Sequence, residues 1–553
     1  MKLEELSKEQ LLEEIKKLKR RKKYGLVWED KPESVVERCK KEIPVLEESK
    51  GREIEKKKDA PYNLIIEGDN YHSLSVLNYT HAGKVDIVYI DPPFNTGAKD
   101  WRYNNDYVDS IDSYRHSKWI SMMYKRLSLA RNILSEEGFL VCAIDENEIH
   151  NIRHLIDEIF GENNKLGMVT VIHNPKGRNL SKFFSENSEF MLVYAKNKSL
   201  ASFNDVAIDE EVLASFELKD EEGRYRYEPF MRVRTSWSRA NKPNNYYPIF
   251  VSRDLSKLSL TKKNNDDIEV YPKTGDGREW AWKNIPSSFE NLNVADYFKP
   301  IEIEGKIEIF HKYREKQVFK NVWTNKKYQS EFNGTNLLKK IMGGKVFDYP
   351  KSLYLVLDIL KITSSKNSLV LDFFAGSGTT GHAVLELNKE DGGNRKFILC
   401  TNNENEIAEK VCYQRIKNVI EGYSDVKGID ANLKYFKTTF IPKSPVSDDT
   451  RANLVNKSTE MICVKEGTFE EVFISDYYKI FKDAKHTTAI LFNLDYLEEM
   501  KEKIDTISLT SSIYVFSLSN DTYDQDFKDL SVEHELCPIP ESILEVYRKL
   551  FKD

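Results

Sequence analysis

The sequence predicts an α/β protein built on a mostly parallel sheet. Short apolar runs alternate with amphipathic helical segments between about residues 62 and 144, and this alternation is typical of buried parallel strands covered by helices. A second block of the same kind runs from residue 353 to about 423. A glycine-rich turn follows a strand in that second block, as it does where such sheets bind ligands. We interpret the two blocks as halves of one sheet.

The remaining segments follow from changes in the pattern along the chain. Leucines alternate with Glu and Lys at helical spacing over residues 3–23, which predicts a surface helix or a short coiled-coil arm. Between the two blocks the sequence is irregular, aromatic and locally basic, which predicts an inserted domain. The predicted segments are an N-terminal helical arm (1–60), the first half of the sheet (61–166), the inserted domain (167–340), the second half of the sheet (341–442) and a small C-terminal α/β unit (443–553).

The composition is that of an ordinary globular protein. Of the 553 residues, 40% are hydrophobic and 31% are charged, and no apolar run is long enough to span a membrane. The N-terminus is charged throughout and lacks the apolar stretch of a signal peptide, so we expect a cytoplasmic protein without a membrane partner. The net charge of -6 argues against a chain that coats nucleic acid indiscriminately. Any nucleic-acid surface must therefore be local.

Metal and disulfide chemistry are not indicated by the sequence. The six cysteines are scattered without a C-x-x-C pair, so neither a zinc site nor a disulfide framework is predicted. His116 and His382 have no Cys, His or carboxylate partner at metal-ligand spacing. We interpret them as packing or capping histidines and predict no metal.

The segment "LVLDFFAGSGTTGHAV" places a glycine turn between a strand and a helix. Asp372 and Phe374 lie at the end of the strand, and Gly376 and Gly378 lie in the turn that opens the helix. Glycines at this place let a ligand approach the backbone, and the helix N-terminus faces it. A turn that is tight only for packing remains an alternative on this pattern alone.

Two common ligand classes are excluded at this turn. A phosphate-binding loop requires a lysine after its last glycine, and His382 stands at that position after Gly381. A dinucleotide fold requires G-x-G-x-x-G, and Thr380 and Gly381 break that register. The remaining candidate is a cofactor without a pyrophosphate, such as S-adenosylmethionine.

The segment "IDPPFNTG" places acceptors and a flat ring directly after a strand. A base amino group that attacks a methyl sulfonium needs acceptors for its hydrogens, and the Asp91 carboxylate and the Pro92 carbonyl can supply them. The two prolines, Pro92 and Pro93, stiffen the carbonyl direction. Phe94 offers a face on which an extruded base can stack, worth roughly 1–3 kcal/mol. The alternative is a rigid turn with a buried phenylalanine.

A third strand end occurs in "LIIEGDN". Asp69 would reach the same crevice if this strand neighbours the other two, because ligands bind beyond the carboxyl ends of such strands. We assign it a contact with the adenine amino group of the cofactor. The alternative, an N-cap for the helix that begins near Tyr71, fits the sequence equally well.

Taken together and in this order, the motifs resemble those of one family. The chain resembles the modification subunits of type III restriction-modification systems, which are β-class amino-methyltransferases. The resemblance covers nearly the whole chain, and its most specific segments are "IDPPFNTG", "SYRHSKWISMMYKRLSLARNIL", "FDYPKS", "DFFAGSGTTGHAV" and "FILCTNNENEIAEKVCYQRIKNVI". It implies a permuted, mostly parallel, Rossmann-like methyltransferase sheet with the catalytic motif before the cofactor motif. It also implies that the inserted domain recognises the DNA target.

The family motifs carry over to this sequence residue by residue. The resemblance implies that the catalytic tetrapeptide is Asp91, Pro92, Pro93 and Phe94. Relatives often end the "KFILCT" strand in an acid that binds the ribose, whereas here Asn402 comes before Glu404, so the ribose ligand stays open between the two. The candidate residues for binding S-adenosylmethionine are Asp69, Asn95, Phe347, Lys351, Asp372, Phe374, Gly376, Gly378, Thr379, Asn402 and Glu404.

The predicted insertion contains a basic and aromatic stretch. Residues 223–242 hold six basic side chains against one acid, Glu228, interleaved with aromatic rings. Arginines and aromatics together suit phosphate contact and base readout, although a charged strand face is the alternative. The candidate DNA-binding residues are Arg224, Arg226, Arg232, Arg234, Arg239 and Lys242.

The function predicted from these residues and the resemblance is adenine-N6 methylation of duplex DNA by base flipping. A cytosine-N4 methyltransferase is the nearest alternative, although Asp at position 91 resembles the adenine enzymes. A DNA-specificity subunit without catalysis would require a spoiled Asp91 or glycine loop, and both are intact. The expected partners are double-stranded DNA, a second copy of the chain in a homodimer, and a separate helicase-nuclease restriction subunit.

Overall fold

The computed structural model divides the chain into two compact units. One comprises residues 1–204 and 320–553, and the other comprises residues 205–319. The predicted helix at residues 3–23 lies outside the described residues, apart from Ser7. The structure describes Ser7 and residues 26–58, 60–104, 106–177, 183–294, 296–444, 447–517, 521 and 523–551.

A ten-stranded sheet forms the centre of the larger unit. Its spatial order is β1-β10-β2-β9-β8-β3-β4-β6-β5-β7 in the following numbering. The strands are β1 (Glu42–Glu48), β2 (Tyr62–Glu67), β3 (Val85–Ile90), β4 (Leu134–Ile144), β5 (Lys165–Ile172), β6 (Ser188–Ala195), β7 (Val322–Trp323), β8 (Leu369–Asp372), β9 (Lys396–Thr401) and β10 (Asn432–Pro442).

The six strands from β10 to β4 run parallel to one another. Strand β3 of the first predicted half pairs with β8 of the second half, and Val370 lies opposite Ile87. Both strands are almost entirely buried and apolar, as expected for parallel strands that are covered on both faces. The prediction of a mostly parallel α/β sheet is therefore confirmed. The parallel direction brings the carboxyl ends of these strands to one edge.

Amphipathic helices cover the sheet. In Ile149–Phe160 the buried residues recur three or four positions apart, and the helix ends before Gly161, whose φ is 91°. A two-stranded hairpin, Ala98–Tyr103 with Asp106–Asp109, follows β3. The α-helices of this part are Ser34–Lys41, Asn70–Thr80, Arg115–Ile133, Ile149–Phe160, Leu337–Met342, Leu353–Thr363, Thr379–Asp391 and Gln414–Glu421.

The unit of residues 205–319 has its own aromatic core. Phe230 stacks on Trp282 and packs edge-on against Phe298. This unit is narrower than the predicted insertion of 167–340, because β5, β6 and β7 pair into the large sheet instead. Its strands are Leu218–Asp220, Gly223–Pro229, Met231–Arg232, Ile249–Val251, Leu258–Ser259, Ile268–Val270, Ala281–Trp282, Phe298–Ile303 and Lys306–Arg314, and its α-helices are Glu210–Ala214 and Pro286–Leu292.

The C-terminal segment forms a second sheet within the larger unit. Tyr547 is buried and donates a 2.7 Å hydrogen bond to the carbonyl of Pro44, so this segment shares the core of the main sheet. None of the helices in the described part of the chain combines the length and the apolar character needed to span a bilayer. The strands are Glu470–Ile474, Tyr478–Lys482, His486–Leu491, Thr510–Phe516 and His534–Ile539, and the helices are Ser447–Asn456, Thr459–Glu466, Leu497–Ile507 and Glu541–Leu550.

Candidate active site

The predicted site residues meet at the carboxyl ends of adjacent parallel strands. Asp91 follows β3, Asp372 is the last residue of β8, Asp69 follows β2 by two residues, and Glu404 follows β9 by three. Because β2, β9, β8 and β3 are neighbours and parallel, these ends share one edge. A crevice at this edge is where such sheets bind ligands.

The glycine turn after β8 is held in shape by Asp372. This buried carboxylate accepts hydrogen bonds from the Phe374 amide at 3.0 Å and from the Thr380 hydroxyl at 2.6 Å. Burial raises the pKa of Asp372 to about 7. Gly376 and Gly378 have φ angles of 48° and 76°, which other residues adopt only with strain. The turn therefore depends on glycine at both positions.

Side chains lie close to the turn, most tightly at Gly378. A Cβ added at Gly376 would lie 3.5 Å from the Phe347 ring, and one added at Gly378 would lie 3.2 Å from Cys412 Sγ. Phe347 therefore lies beside the glycine turn, and its predicted contact with the cofactor stays a prediction.

Arg415, which was not predicted from the sequence, holds the glycine turn through hydrogen bonds. Arg415 is fully buried and donates hydrogen bonds to the Ser377 carbonyl at 3.3 Å and to the Thr379 hydroxyl at 2.8 Å. Burial lowers the pKa of its guanidinium to about 10, so it stays charged at neutral pH. Its sequence signal was an arginine on the apolar face of the helix Gln414–Glu421.

The Asp91 side chain lies directly after β3 and is 24% exposed, with its Oδ1 atom buried. Its Oδ1 atom lies 3.3 Å from Lys351 Nζ in an ion pair. No N–H or O–H among the described residues donates a hydrogen bond to this buried oxygen with favourable geometry. Burial raises the pKa of Asp91 to about 6, and the Lys351 ammonium opposes that rise. The carboxylate is thus ionised at neutral pH and retains acceptor capacity.

The rest of the tetrapeptide is clamped by helix Arg115–Ile133. Trp119 Nε1 donates a 2.7 Å hydrogen bond to the Pro93 carbonyl, so that acceptor is already used. Phe94 is half-buried against the core, and the Lys351 ammonium lies 4.6 Å from its ring centroid.

Asn95 is engaged at both ends of its side chain. Its amide nitrogen donates to Glu148, and its oxygen accepts from Trp101 Nε1 at 3.0 Å. Glu148 is fully buried and also accepts from His116 Nδ1 at 2.6 Å and from Asn151 at 2.7 Å. The hydrogen bonds of Glu148 and Asn95 therefore hold the loop after Phe94 in place. The predicted cofactor contact of Asn95 stays a prediction, and both of its polar ends have protein partners.

Asp69 caps a helix, as the alternative interpretation of "LIIEGDN" expected. Its carboxylate accepts from the Tyr71 amide at 2.8 Å and pairs with buried Arg126 at 3.1 Å. Arg126 also pairs with Glu33 at 2.8 Å. The contact between Asp69 and the cofactor adenine stays a prediction.

The end of β9 leaves the ribose ligand open. Glu404 accepts from Arg102 Nε at 2.8 Å and from the Tyr107 hydroxyl at 3.3 Å, which ties it to the hairpin after β3. Asn402 is exposed. The two candidates therefore differ in that Glu404 has protein partners and Asn402 is open to solvent.

Lys351 lies between two carboxylates. Its ammonium contacts Asp91 and also Glu189, a residue of β6 that the sequence analysis did not single out. Although burial works against the charge, these carboxylates raise the pKa of Lys351 above its usual value. Lys351 therefore lies beside the predicted catalytic tetrapeptide.

The predicted DNA-binding residues fall into two groups. Arg226 pairs with Glu228 at 2.6 Å, and Arg239 pairs with Glu279 at 2.8 Å, so both serve the internal structure of their unit. Among the described residues, no carboxylate lies within ion-pair distance of the other four, which are Arg224, Arg232, Arg234 and Lys242. Arg232 and Lys242 both lie over the ring of Trp237, at 5.0 and 5.6 Å from its centroid.

Comparison with known proteins gives this arrangement a family. The family model described as DNA methylase matches residues 85–440, which include the tetrapeptide, the glycine turn and all strands from β3 to β9. The chain belongs to the DNA methylase family. Within the described ranges, this methylase has no group of three or more His, Cys, Asp or Glu placed to hold a metal ion.

Several characterised proteins are similar to this methylase. The EcoPI Mod subunit of a type III restriction-modification enzyme from Escherichia phage P1 is 35% identical over 62% of this chain and 58% of its own length. The type II methyltransferase M.KpnI from Klebsiella pneumoniae is 30% identical over 69% of this chain and 92% of its own. The structure of PvuII DNA methyltransferase (cytosine-N4-specific) aligns with 65% of this chain and 89% of its own, at 13% identity and a TM-score of 0.34. The match thus spans little more than half of the EcoPI subunit.

Proposed function

We propose that this methylase transfers a methyl group from S-adenosylmethionine to the N6 amino group of adenine in duplex DNA. The observation that carries the proposal is Asp91 Oδ1, a buried carboxylate oxygen that lies in an ion pair 3.3 Å from Lys351 Nζ but accepts no hydrogen bond of favourable geometry from the described residues. Because a carboxylate oxygen has two lone pairs, it can still accept a hydrogen bond beside this ion pair. An amino group of an extruded base would donate that hydrogen bond beside the Phe94 ring.

The glycine turn supports the choice of cofactor. Gly376 has a left-handed φ of 48°, and a side chain there would approach the Phe347 ring. Glycine at this position lets a ligand approach the backbone of the turn closely. When bound there, S-adenosylmethionine supplies an electrophilic methyl group on a sulfonium. Gly376, Gly378 and Phe347 would hold it, with Thr379 at the start of the helix.

The residues of the tetrapeptide would orient the base. Asp91 accepts one amino hydrogen and so turns the nitrogen lone pair away from itself, toward the methyl group. Transfer of the methyl group from the sulfonium to the amino nitrogen would leave that nitrogen positively charged. The Asp91 carboxylate stabilises that charge and accepts the proton that leaves. Phe94 stacks on the base and offsets part of the few kcal/mol that extrusion costs.

DNA recognition is proposed for the unit of residues 205–319. Arg232, Arg234 and Lys242 have no carboxylate partner among the described residues, and Arg232 and Lys242 lie over the ring of Trp237, which suits contact with phosphates and bases. Two relatives are named as Mod subunits of type III restriction-modification enzymes, which supports a separate restriction subunit as partner. We also propose a homodimer.

The test is to express the chain in a host without DNA methylation and to identify modified bases by single-molecule sequencing. Wild-type chain is expected to mark adenine at one sequence motif, and Asp91→Asn is expected to leave no mark while S-adenosylmethionine still binds in calorimetry. Asp86→Asn is the matched control, because Asp86 lies in the same strand but accepts from the Leu369 amide at the opposite end. Marks on cytosine would favour the N4 alternative, and full activity of Asp91→Asn would contradict the proposal.

A further inference from the structure

We propose that Glu189 and Lys351 are positioning residues that hold Asp91 as an oriented carboxylate, so that Lys351 serves the methyl-acceptor site and not the cofactor. The inference rests on the proposed role of Asp91. The inference adds Glu189 to the residues that act at the methyl-acceptor site. It also moves Lys351, which the "FDYPKS" motif placed at the cofactor, to that acceptor site.

The geometry joins three separate parts of the sheet. Lys351 Nζ contacts Glu189 Oε2 at the start of β6 and lies 3.3 Å from Asp91 Oδ1 at the end of β3. It also lies 4.6 Å from the Phe94 ring centroid. The side chains of Lys351 and Glu189 are only 9% and 8% exposed, so water screens these contacts weakly. The ammonium therefore touches both catalytic elements, the acceptor and the stacking ring.

The backbone of Lys351 is fixed independently of these contacts. It follows Pro350, whose carbonyl packs so closely on Gly334 that a Cβ there would lie 2.2 Å away. On its other side, the Ser352 hydroxyl donates to the Lys327 carbonyl at 2.7 Å. The ammonium is thus delivered to Asp91 from a rigid segment, and little conformational entropy remains to be lost.

Charge balance explains why the lysine is needed. Burial disfavours the charged form of a carboxyl group, and a second buried carboxylate nearby makes it less favourable still. Asp91 is subject to both effects, because its Oδ1 atom is buried near the Glu189 carboxylate. Without the Lys351 ammonium, Asp91 would become protonated and would donate a hydrogen bond to the base instead of accepting one. One ammonium between two carboxylates leaves a net charge of −1. Because an oxygen has two lone pairs, Oδ1 can pair with Lys351 and still accept an amino hydrogen.

The other groups around Asp91 do not replace the lysine. Asp145 at the end of β4 and Asp372 at the end of β8 are further acids, and burial raises the pKa of Asp145 to about 6. Burial also raises the pKa values of the Tyr89 hydroxyl and the Cys142 thiol, which stay neutral. His173 faces Glu189 at 3.6 Å. Lys351 favours the carboxylate form of Asp91, whereas Glu189 and Asp145 oppose it.

The experiment measures methyl transfer in single turnovers from pH 5 to pH 9, at saturating S-adenosylmethionine and DNA. In Lys351→Met, the acidic limb of the profile is expected to move up by about one pH unit or more, because the opposite charge beside Asp91 is lost. Lys351→Arg keeps the positive charge, so its acidic limb should lie close to that of the wild-type protein. In Glu189→Gln the limb should move down, because a carboxylate that opposes ionisation of Asp91 is removed while Lys351 remains. Cofactor affinity by calorimetry should change less than twofold in all three.

If Lys351 and Glu189 act electrostatically, their replacement should shift the acidic limb of the pH–rate profile in opposite directions. A purely structural role would lower the rate without shifting that limb. An unmoved limb in both Lys351→Met and Glu189→Gln would overturn the inference, as would a tenfold loss of cofactor affinity in Lys351→Met. If Lys351→Met does not fold, Glu189→Gln decides by itself, since Gln has nearly the shape of Glu. The proposed function fails separately, if Asp91→Asn retains full activity.

Discussion

The indole Nε1 of Trp119 donates a hydrogen bond of 2.7 Å to the carbonyl oxygen of Pro93. A fully buried side chain of a long helix thereby fixes the direction of the tetrapeptide for which we propose the catalytic role. The tetrapeptide is thus held by the packed core and not by its prolines alone.

Replacing Trp119 by Phe removes this donor and leaves the Pro93 carbonyl without it. We expect a loss of about 1–3 kcal/mol in the free energy of unfolding. The methyl-transfer rate should fall about tenfold, with cofactor affinity unchanged. Trp323→Phe is the matched control, because Trp323 Nε1 donates to the Lys320 carbonyl at 2.9 Å on edge strand β7. Equal losses of rate in the two variants, measured by single turnover, would contradict the assigned role.

Gly378→Ala should abolish most cofactor binding. Its φ of 76° costs an alanine about 1–2 kcal/mol, and the new Cβ would lie 3.2 Å from Cys412 Sγ. Gly392→Ala, at the other end of the same helix, has a φ of 68° but nothing within 4 Å of its Cβ. Calorimetry should therefore find unchanged cofactor affinity in Gly392→Ala. If Gly378→Ala binds equally well, the turn is only structural.

Replacing Arg232 and Arg234 together by Gln should weaken DNA binding and flatten its salt dependence. Loss of two phosphate contacts lowers the slope of log K against log salt by about 2. Arg239→Gln is the control, because Arg239 already pairs with Glu279. Fluorescence anisotropy at several salt concentrations measures the slopes. An unchanged slope in the double variant would place the DNA surface elsewhere.

Asp372 should make the protein less stable as pH rises. Burial raises its pKa in the folded state to about 7, whereas an unfolded Asp titrates near 3.9. Between roughly pH 4 and pH 7 the folded state therefore binds more protons, and stability falls with pH by about 2–4 kcal/mol. Asp372→Asn should lack this fall in denaturant unfolding at pH 5 and pH 8.

Asp391 provides a comparison, because its pKa is shifted in the direction opposite to that of Asp372. Although burial opposes it, the Arg395 guanidinium lowers the pKa of Asp391, so its stabilisation is present above the unfolded pKa and lost on acidification. Asp391→Asn should therefore destabilise the protein equally at pH 5 and pH 8, which both lie above the unfolded pKa of about 3.9, and less only below that pH. A parallel pH response of the two variants would mean that Asp372 titrates normally.

The strand ends could be predicted from sequence because local rules govern them. The apolar runs before Asp91 and Asp372 are long enough to define buried strands, and the parallel arrangement then brings both carboxylates to one edge. The glycine turn could also be predicted from the sequence, because backbone positions with left-handed φ angles favour glycine.

The partners of those residues could not be predicted, because they are contacts between distant segments. Glu189 lies 162 residues from Lys351 in sequence, and nothing in β6 distinguishes it from other charged residues near strand ends. Arg415 supports the glycine turn only because two helices pack together. The narrower inserted unit has the same cause, since pairing of β6 with β4 is decided by the sheet and not by local composition.

The pairing of β3 with β8 also sets the order in which the protein can mature during synthesis. The hydrogen bond from Leu369 to Asp86 beside this pair joins residues 283 positions apart. Closing so long a loop is slow, and domains fold as units while the chain emerges from the ribosome. Residues 205–319 pair their own strands locally, as Gly223–Pro229 does with Lys306–Arg314, so that unit can fold while β3 still has an open edge. The unit for which we propose DNA recognition can therefore form before the strand ends that carry Asp91 and Asp372 meet.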